Sequence, residues 1–234
     1  RRHTRYIGDW SSDVCSSDLG VRRILSISAV GSLRESIEPG HLVCPDQFVD
    51  RTRGRASTFF EKGVVGHVQF GDPVEEKLRQ ELLTAARAVG AEVHDGGAYV
   101  CIEGPTFSTR AESNIYRSWD CAIVGMTNLP EARLAREAEM AYATLALCTD
   151  YDCWHEDHDN VTVDMILSNL KSNAELATKI ICGSIQKIGQ LRPKSIAHDA
   201  LKYALLTPKE FVPNQTRKDL NLLTKKYWGD FSSN

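Results

Sequence analysis

Short apolar runs and stretches of helical spacing alternate along most of this chain. Residues 24–27 (ILSI), 40–48 (GHLVCPDQF), 98–102 (AYVCI), 121–125 (CAIVG) and 142–148 (YATLALC) have strand length and mainly apolar side chains. Helical spacing recurs in Val74, Leu78, Leu82, Ala86 and Val89, opened by Asp72 and Pro73 and closed by Gly90. PEARLAREAE, from Pro130, predicts a second such helix, and a long third is predicted from about Thr162, with Val163, Ile166, Leu167, Leu170, Ala174 and Ala177 on one face. This order predicts an α/β fold, a mixed and largely parallel sheet flanked by helices on both faces. Beyond Gly189, Pro193, Pro208 and Pro213 punctuate short helical pieces at 197–206 and 216–228, expected to wrap the core.

Four of the strands hand over to the same kind of segment. Residues 24–27 deliver Ser28, Ala29, Val30, Gly31 and Ser32, and 121–125 deliver Met126, Thr127 and Asn128. Residues 142–148 deliver Thr149, Asp150, Tyr151 and Asp152. After 98–102, Gly104 and Pro105 break the strand, Phe107 and Ser108 follow, and Thr109 with Glu112 forms a capping box that starts a helix holding Ile115, Tyr116 and Trp119. Ligands of open α/β sheets bind outside the carboxyl ends of the strands. Hydroxyls, an aromatic ring, a methionine and two carboxylates are therefore expected along one edge. Taken singly these residues have plainer readings: Asp150 and Asp152 as a turn and helix-cap pair, Ser28 and Thr127 as turn hydroxyls, Phe107 and Met126 as core.

Composition narrows the partner. A chain of 234 residues with 42% hydrophobic side chains buries a sizeable core, and one domain is the default. A net charge of −3 offers no basic field for nucleic acid, and no apolar run approaches the roughly 20 residues of a membrane span. A small molecule is favoured by elimination. Seven cysteines, mostly within apolar runs and without zinc-ligand spacing, read as reduced thiols of a cytoplasmic protein; Cys153, next to the aspartates, is the one to watch. His155 and His158 among Glu156, Asp157 and Asp159 read as a solvated acidic loop, and no metal is expected.

EGPTFSTRAES, GMTNLPEARLAREAEM at 125–140 and TDYDCWH at 149–155 resemble the S-methyl-5′-thioadenosine phosphorylases of the trimeric purine nucleoside phosphorylase superfamily, and SAVGSLRESIEPG at 28–40 and DQFVDRT at 46–52 extend the match. The resemblance implies a purine nucleoside phosphorylase-like sheet, a homotrimer, and phosphorolysis of methylthioadenosine with inorganic phosphate as co-substrate and no cofactor. It casts Asp150 as the acid that assists departure of adenine, with Asp152 as a second base-reading carboxylate. Phe107 would stack on the purine, Met126 would hold the ribose, and Ala29 would line the site by its backbone. Ser28 and Thr127 match phosphate-binding hydroxyls. His67, in the apolar run VVGHVQF, matches a histidine that reaches a neighbouring subunit's alkylthio pocket. Ser108 stands where relatives acting on 6-oxopurines carry glutamate, and Asp150 where they carry asparagine; both departures imply a 6-aminopurine. Gly125 stands where some relatives carry asparagine. Open alternatives are a phosphorylase for adenosine, inosine or methylthioinosine, and an inactive purine-binding fragment. Residues 1–20 follow no period and resemble a translated sequencing adapter; the family's GGSGL or GGTGL loop is absent, and the one Arg-His pair at the start, Arg2-His3, lies inside that leader without the family's surroundings, so the family's role is not carried over to it. The expectation is a foreign leader, 1–20, joined to one phosphorylase-like domain, 21–234, that lacks its first strands.

Overall fold

The computed structural model describes residues 19–155 and 163–231. Strands are β1 (Arg23–Ser32), β2 (Leu42–Cys44), β3 (Gln47–Arg51), β4 (Val93–Asp95), β5 (Ala98–Ile102), β6 (Cys121–Gly125) and β7 (Ala141–Tyr151). Helices are α1 (Glu76–Ala88), α2 (Arg110–Ser118), α3 (Asn128–Glu137), α4 (Val163–Leu191), α5 (Asn214–Asp219) and α6 (Asn221–Trp228). All seven strands form one mixed sheet in the order β3-β5-β6-β1-β7-β2-β4. The pairs β1/β7, β2/β4, β3/β5 and β5/β6 are parallel, whereas β1/β6 and β2/β7 are antiparallel.

β7 shows why the sheet is covered on both faces. Its Ala141, Ala143, Leu145 and Leu147 pack with Leu78, Leu82 and Leu83 of α1 and Ile180 of α4. Its Tyr142, Ala146 and Cys148 join Ala132 and Ala135 of α3 and the C-terminal Leu201, Val212 and Leu220. A strand buried on both sides reads as a continuous apolar run, which is how YATLALC appears in the sequence. Each fully buried leucine of α1 contributes about 2 kcal/mol. Among the described residues, no helix is long and apolar enough to cross a membrane.

The structure corrects several boundaries. Residues 40–48 are not one strand: they are split between β2 and β3 at Pro45 and Asp46, whose carboxylate accepts the Gly97 N–H (3.0 Å). VVGHVQF is not a strand either, since only Gly66 bridges, to Leu205. Asp72 and Pro73 do not open α1, which begins at Glu76. Arg136 instead ties the carbonyls of Gln69 (2.7 Å) and Asp72 (2.6 Å), and Glu75 N–H donates to Tyr142 O (2.8 Å), holding this segment as a non-helical, bent approach to α1. In the tail, 197–206 forms a short 3₁₀ turn, Ile196–Asp199, and further turns. Tail wrapping is as expected, with Leu201, Ala204, Val212 and Leu223 buried. β4 has only three residues and left no signal in the sequence pattern.

β1 is paired with β7 along its length but meets β6 only at Gly31 and Ser32. Residues 23–29 thus have no strand partner on that side among the described residues, and Ile27 is 46% exposed. Such an edge is a template for a further strand. The leader expectation lies, apart from Leu19 and Gly20, outside the described residues; so does the helix start at Thr162.

Candidate active site

The carboxyl ends of β1, β5, β6 and β7 surround a cavity of about 270 Å³, near the lower end of the roughly 300–1,000 Å³ usual for small-molecule sites. Ala29 lines it from β1, Phe107 and Ser108 from the segment after β5, Met126 and Thr127 from the end of β6, and Asp150 and Asp152 from β7. Seven of the candidate residues therefore meet in one place.

A bulge aims Asp150 into this cavity. The parallel register runs Val30 to Cys148 and then Gly31 to Asp150, so Thr149 is the extra residue. Its hydroxyl donates to Asp150 Oδ2 (2.6 Å). A Cβ at Gly31 would lie 3.0 Å from Asp150 Oδ1, so the glycine makes room for the carboxylate. Asp150 is 6% exposed; burial pushes its carboxyl up to about 6, against the pull of the Thr149 hydroxyl and with a smaller upward contribution from Asp152.

Asp152 is held from the other side. Its N–H donates to Ser32 O (3.0 Å), and Trp154 Nε1 donates to the same carbonyl (2.8 Å). Burial raises its carboxyl above the ordinary range, and the nearby hydroxyl of Ser113, an amide and Ser108 oppose the shift. Asp152 Oδ2, Ser108 Oγ and Ser113 Oγ are all buried without a well-formed hydrogen bond among the described residues. Unsatisfied polar atoms beside a cavity mark a place where a polar ligand edge can be received. Above them Phe107 is 46% exposed. The predicted capping box is formed, Thr109 Oγ1 accepting from Glu112 N (3.2 Å) and Glu112 Oε2 from Thr109 N (2.8 Å), which fixes how the Phe107 segment enters α2. Cys153 is no activated thiol: it donates to Ser108 O (3.2 Å), and burial raises its pKa.

The hydroxyls come from β1 and from the end of β6. Ser28 is 2% exposed, just behind the cavity wall, with its Oγ 2.9 Å from Thr127 Oγ1. Met126 leans over Gly104, whose φ is +70° and whose Cβ would stand 2.5 Å from Met126 Sδ. Gly104→Ala is expected to lower the unfolding free energy by roughly 1–3 kcal/mol through left-handed strain and displacement of Met126. Urea unfolding checks this, and an unchanged midpoint would show that the loop relaxes freely.

The profile of the Phosphorylase superfamily matches residues 14–186, starting within the stretch read as foreign. An S-methyl-5′-thioadenosine phosphorylase of Geobacter sulfurreducens is 54% identical over 210 residues, which span 89% of this chain and 73% of that protein. One of Thermosynechococcus vestitus is 55% identical over 212 residues, 89% of this chain and 73% of the relative. A methylthioadenosine phosphorylase structure sourced from an antarctic soil metagenomic library superposes with a TM-score of 0.87 at 47% identity, covering 91% of this chain and 75% of that one. The enzyme of Schistosoma mansoni in complex with adenine gives 0.79 at 32% identity, covering 84% and 76%. The chain belongs to the methylthioadenosine phosphorylases of the Phosphorylase superfamily.

Two residues lie outside the cavity lining. His67 does not reach the cavity: it is exposed, and its N–H donates to Ala204 O (2.9 Å). Arg55 escaped the sequence reading altogether. Its guanidinium donates to Met126 O (2.7 Å) and Leu129 O (2.8 Å) on one rim, to Glu103 O (2.8 Å) and Ile102 O (3.3 Å) on the other, and pairs with the Glu103 carboxylate (3.0 Å). Nothing in the run RTRGR singles out its last arginine, because all its partners are distant in sequence. Among the described residues no group of three or more His, Cys, Asp or Glu side chains is arranged to hold a metal. The His155 ring stacks on Tyr151 (4.6 Å), and His158, Glu156, Asp157 and Asp159 lie outside the described residues.

Proposed function

We infer that this chain catalyses phosphorolysis of S-methyl-5′-thioadenosine. Phosphate attacks C1′, the C1′–N9 bond breaks, and adenine and 5-methylthioribose 1-phosphate are formed. The observation that carries this reading is Asp150, a buried carboxyl raised to about 6 at a strand-end cavity with Phe107, in a chain more than half identical to phosphorylases named for that nucleoside.

Adenine is a poor leaving group as an anion. A proton or strong hydrogen bond at N7 removes that difficulty, and a carboxyl titrating near neutrality in a water-poor site can supply it. Asp150 takes this role. Asp152 and Ser108, with their unsatisfied oxygens, receive the polar edge of the base while Phe107 covers its face. Met126 and the Ala29 backbone line the sugar side, and Ser28 and Thr127 donate to phosphate. The reaction moves only protons and a ribosyl group, so no cofactor is needed. His67 acts across a subunit boundary in a homotrimer: it adjoins exposed Val65, Tyr203 and Leu206, an apolar surface suited to a second copy of the chain. The setting is the cytoplasm, which suits six described cysteines that are all free.

Incubation with methylthioadenosine and phosphate is expected to release adenine and 5-methylthioribose 1-phosphate in equal amounts, and to release neither without phosphate. Chromatography of both products checks it. Cleavage of inosine but not of methylthioadenosine would overturn the base assignment.

A further inference from the structure

Tyr99, a fully buried residue of β5 outside every role above, carries its hydroxyl to the anion side of the cavity. The phenol oxygen lies 3.1 Å from Ser28 Oγ and accepts the Thr127 N–H at 3.4 Å. It can do so only because residue 125 has no side chain: a Cβ on Gly125 would stand 2.1 Å from the Tyr99 oxygen and 2.7 Å from its ring carbon. No rotation of a Cβ relieves such a contact, so Tyr99 and Gly125 form a complementary pair. Phe48 packs against the Tyr99 ring edge-on (5.8 Å, 73°), which limits where the ring can swing.

We propose that Tyr99 is a positioning residue for phosphate, orienting the Ser28 and Thr127 hydroxyls from beneath through space that Gly125 leaves open. The argument is one of proton direction. A phenol has a single proton and accepts in the same plane; with the Thr127 N–H on its lone pair, its proton points at Ser28 Oγ. Ser28, thus supplied with a donor, turns its own proton to Thr127 Oγ1 (2.9 Å), to an anion oxygen, or over the longer contact to Ala29 O (3.5 Å). Thr127 Oγ1 has an outlet in Asn128 Oδ1 (3.2 Å), and Asn128 is tied in turn to Thr144. This hydrogen-bond chain fixes both hydroxyls in direction and leaves the Ser28 proton as the one an anion oxygen can take, which removes part of the ordering cost of binding an anion. This proposal rests on the assignment of Ser28 and Thr127 to phosphate.

Phosphate and adenine are titrated separately, by calorimetry, into the unaltered chain and into Tyr99→Phe, Gly125→Ala and Ser28→Ala. Tyr99→Phe keeps the ring and its packing, and loss of one hydrogen bond is expected to raise the phosphate Kd about fivefold while the adenine Kd stays within about twofold. Gly125→Ala, which displaces the phenol by sterics alone, is expected to give the same phosphate-selective loss. A phosphate Kd unchanged in Tyr99→Phe, or an adenine Kd that rises in step with it, overturns the proposal. Ser28→Ala separates the two levels. If it weakens phosphate and Tyr99→Phe does not, Tyr99 alone is wrongly assigned; if it leaves phosphate affinity intact, the underlying hydroxyl assignment fails and the proposal with it.

Discussion

Asp150→Asn is expected to lower kcat for methylthioadenosine phosphorolysis by roughly 10²–10⁴-fold and, at the same time, to make the protein more stable above about pH 6. Both effects come from one cause. Burial raises the Asp150 carboxyl to about 6, while an unfolded chain titrates it near 3.9. Between these values the folded protein holds a proton that the unfolded chain has released, so stability falls as pH rises and the full penalty applies above the folded value. A separation of about two pKa units corresponds to a penalty on the order of 2–3 kcal/mol. The amide carries no charge to desolvate, so its advantage over aspartate should be absent at about pH 4 and complete by about pH 8. Thermal melts across that range check the stability arm. The catalytic arm appears in the profile of kcat/KM: the fraction of Asp150 carrying a proton declines as pH rises through about 6, giving a limb that Asp150→Asn should lack. An Asn variant with undiminished kcat would remove Asp150 from the chemistry, whatever the melts showed.

Arg55→Met is expected to have the largest effect of any substitution outside the cavity lining, lowering the unfolding free energy by about 2–4 kcal/mol and weakening adenine binding by tenfold or more. The guanidinium joins the carbonyls of Met126 and Leu129 to those of Ile102 and Glu103, the two chain segments that present Met126 and Phe107. Its removal takes these charge-assisted donors from the four carbonyls and lets the rims separate. Arg55→Lys should recover less than half of either loss, because an ammonium offers one point charge where a planar fork reaches several acceptors. Urea unfolding and adenine calorimetry on both variants provide the test, and full rescue by lysine would show that charge, not the fork, holds the rims.

The cavity was readable as a set of residues before it was visible as a shape. Ala98–Ile102 and Cys121–Gly125 have the bounds their apolar runs predicted, and the Thr109–Glu112 capping box formed as written, since both signals depend on neighbours a few positions apart. Errors gathered where distant backbone intervened. Arg136 and Tyr142 tie down 69–75 in a non-helical path and delay α1, and the Asp46 carboxylate, turned to Gly97, divides 40–48 into two strands. His67 packs beside the C-terminal turns, outside this chain's own cavity, as a residue directed to a neighbouring subunit would.

Sequence alone determined that this chain is a layered α/β protein, that four strand ends bear its chemistry, and that those ends resemble a 6-aminopurine phosphorylase. Periodicity, turn residues and motif order are local properties, and local properties survive in a linear string. Tertiary structure decided the rest: the bulge at Thr149 that turns Asp150 inward, the burial that raises its carboxyl, the Arg55 clamp, and the exchange of a side chain at Gly125 for the hydroxyl of Tyr99. Each depends on atoms brought together from different strands and loops. Desolvation, steric exclusion and hydrogen-bond direction act through space, so no spacing along the chain can encode them on its own.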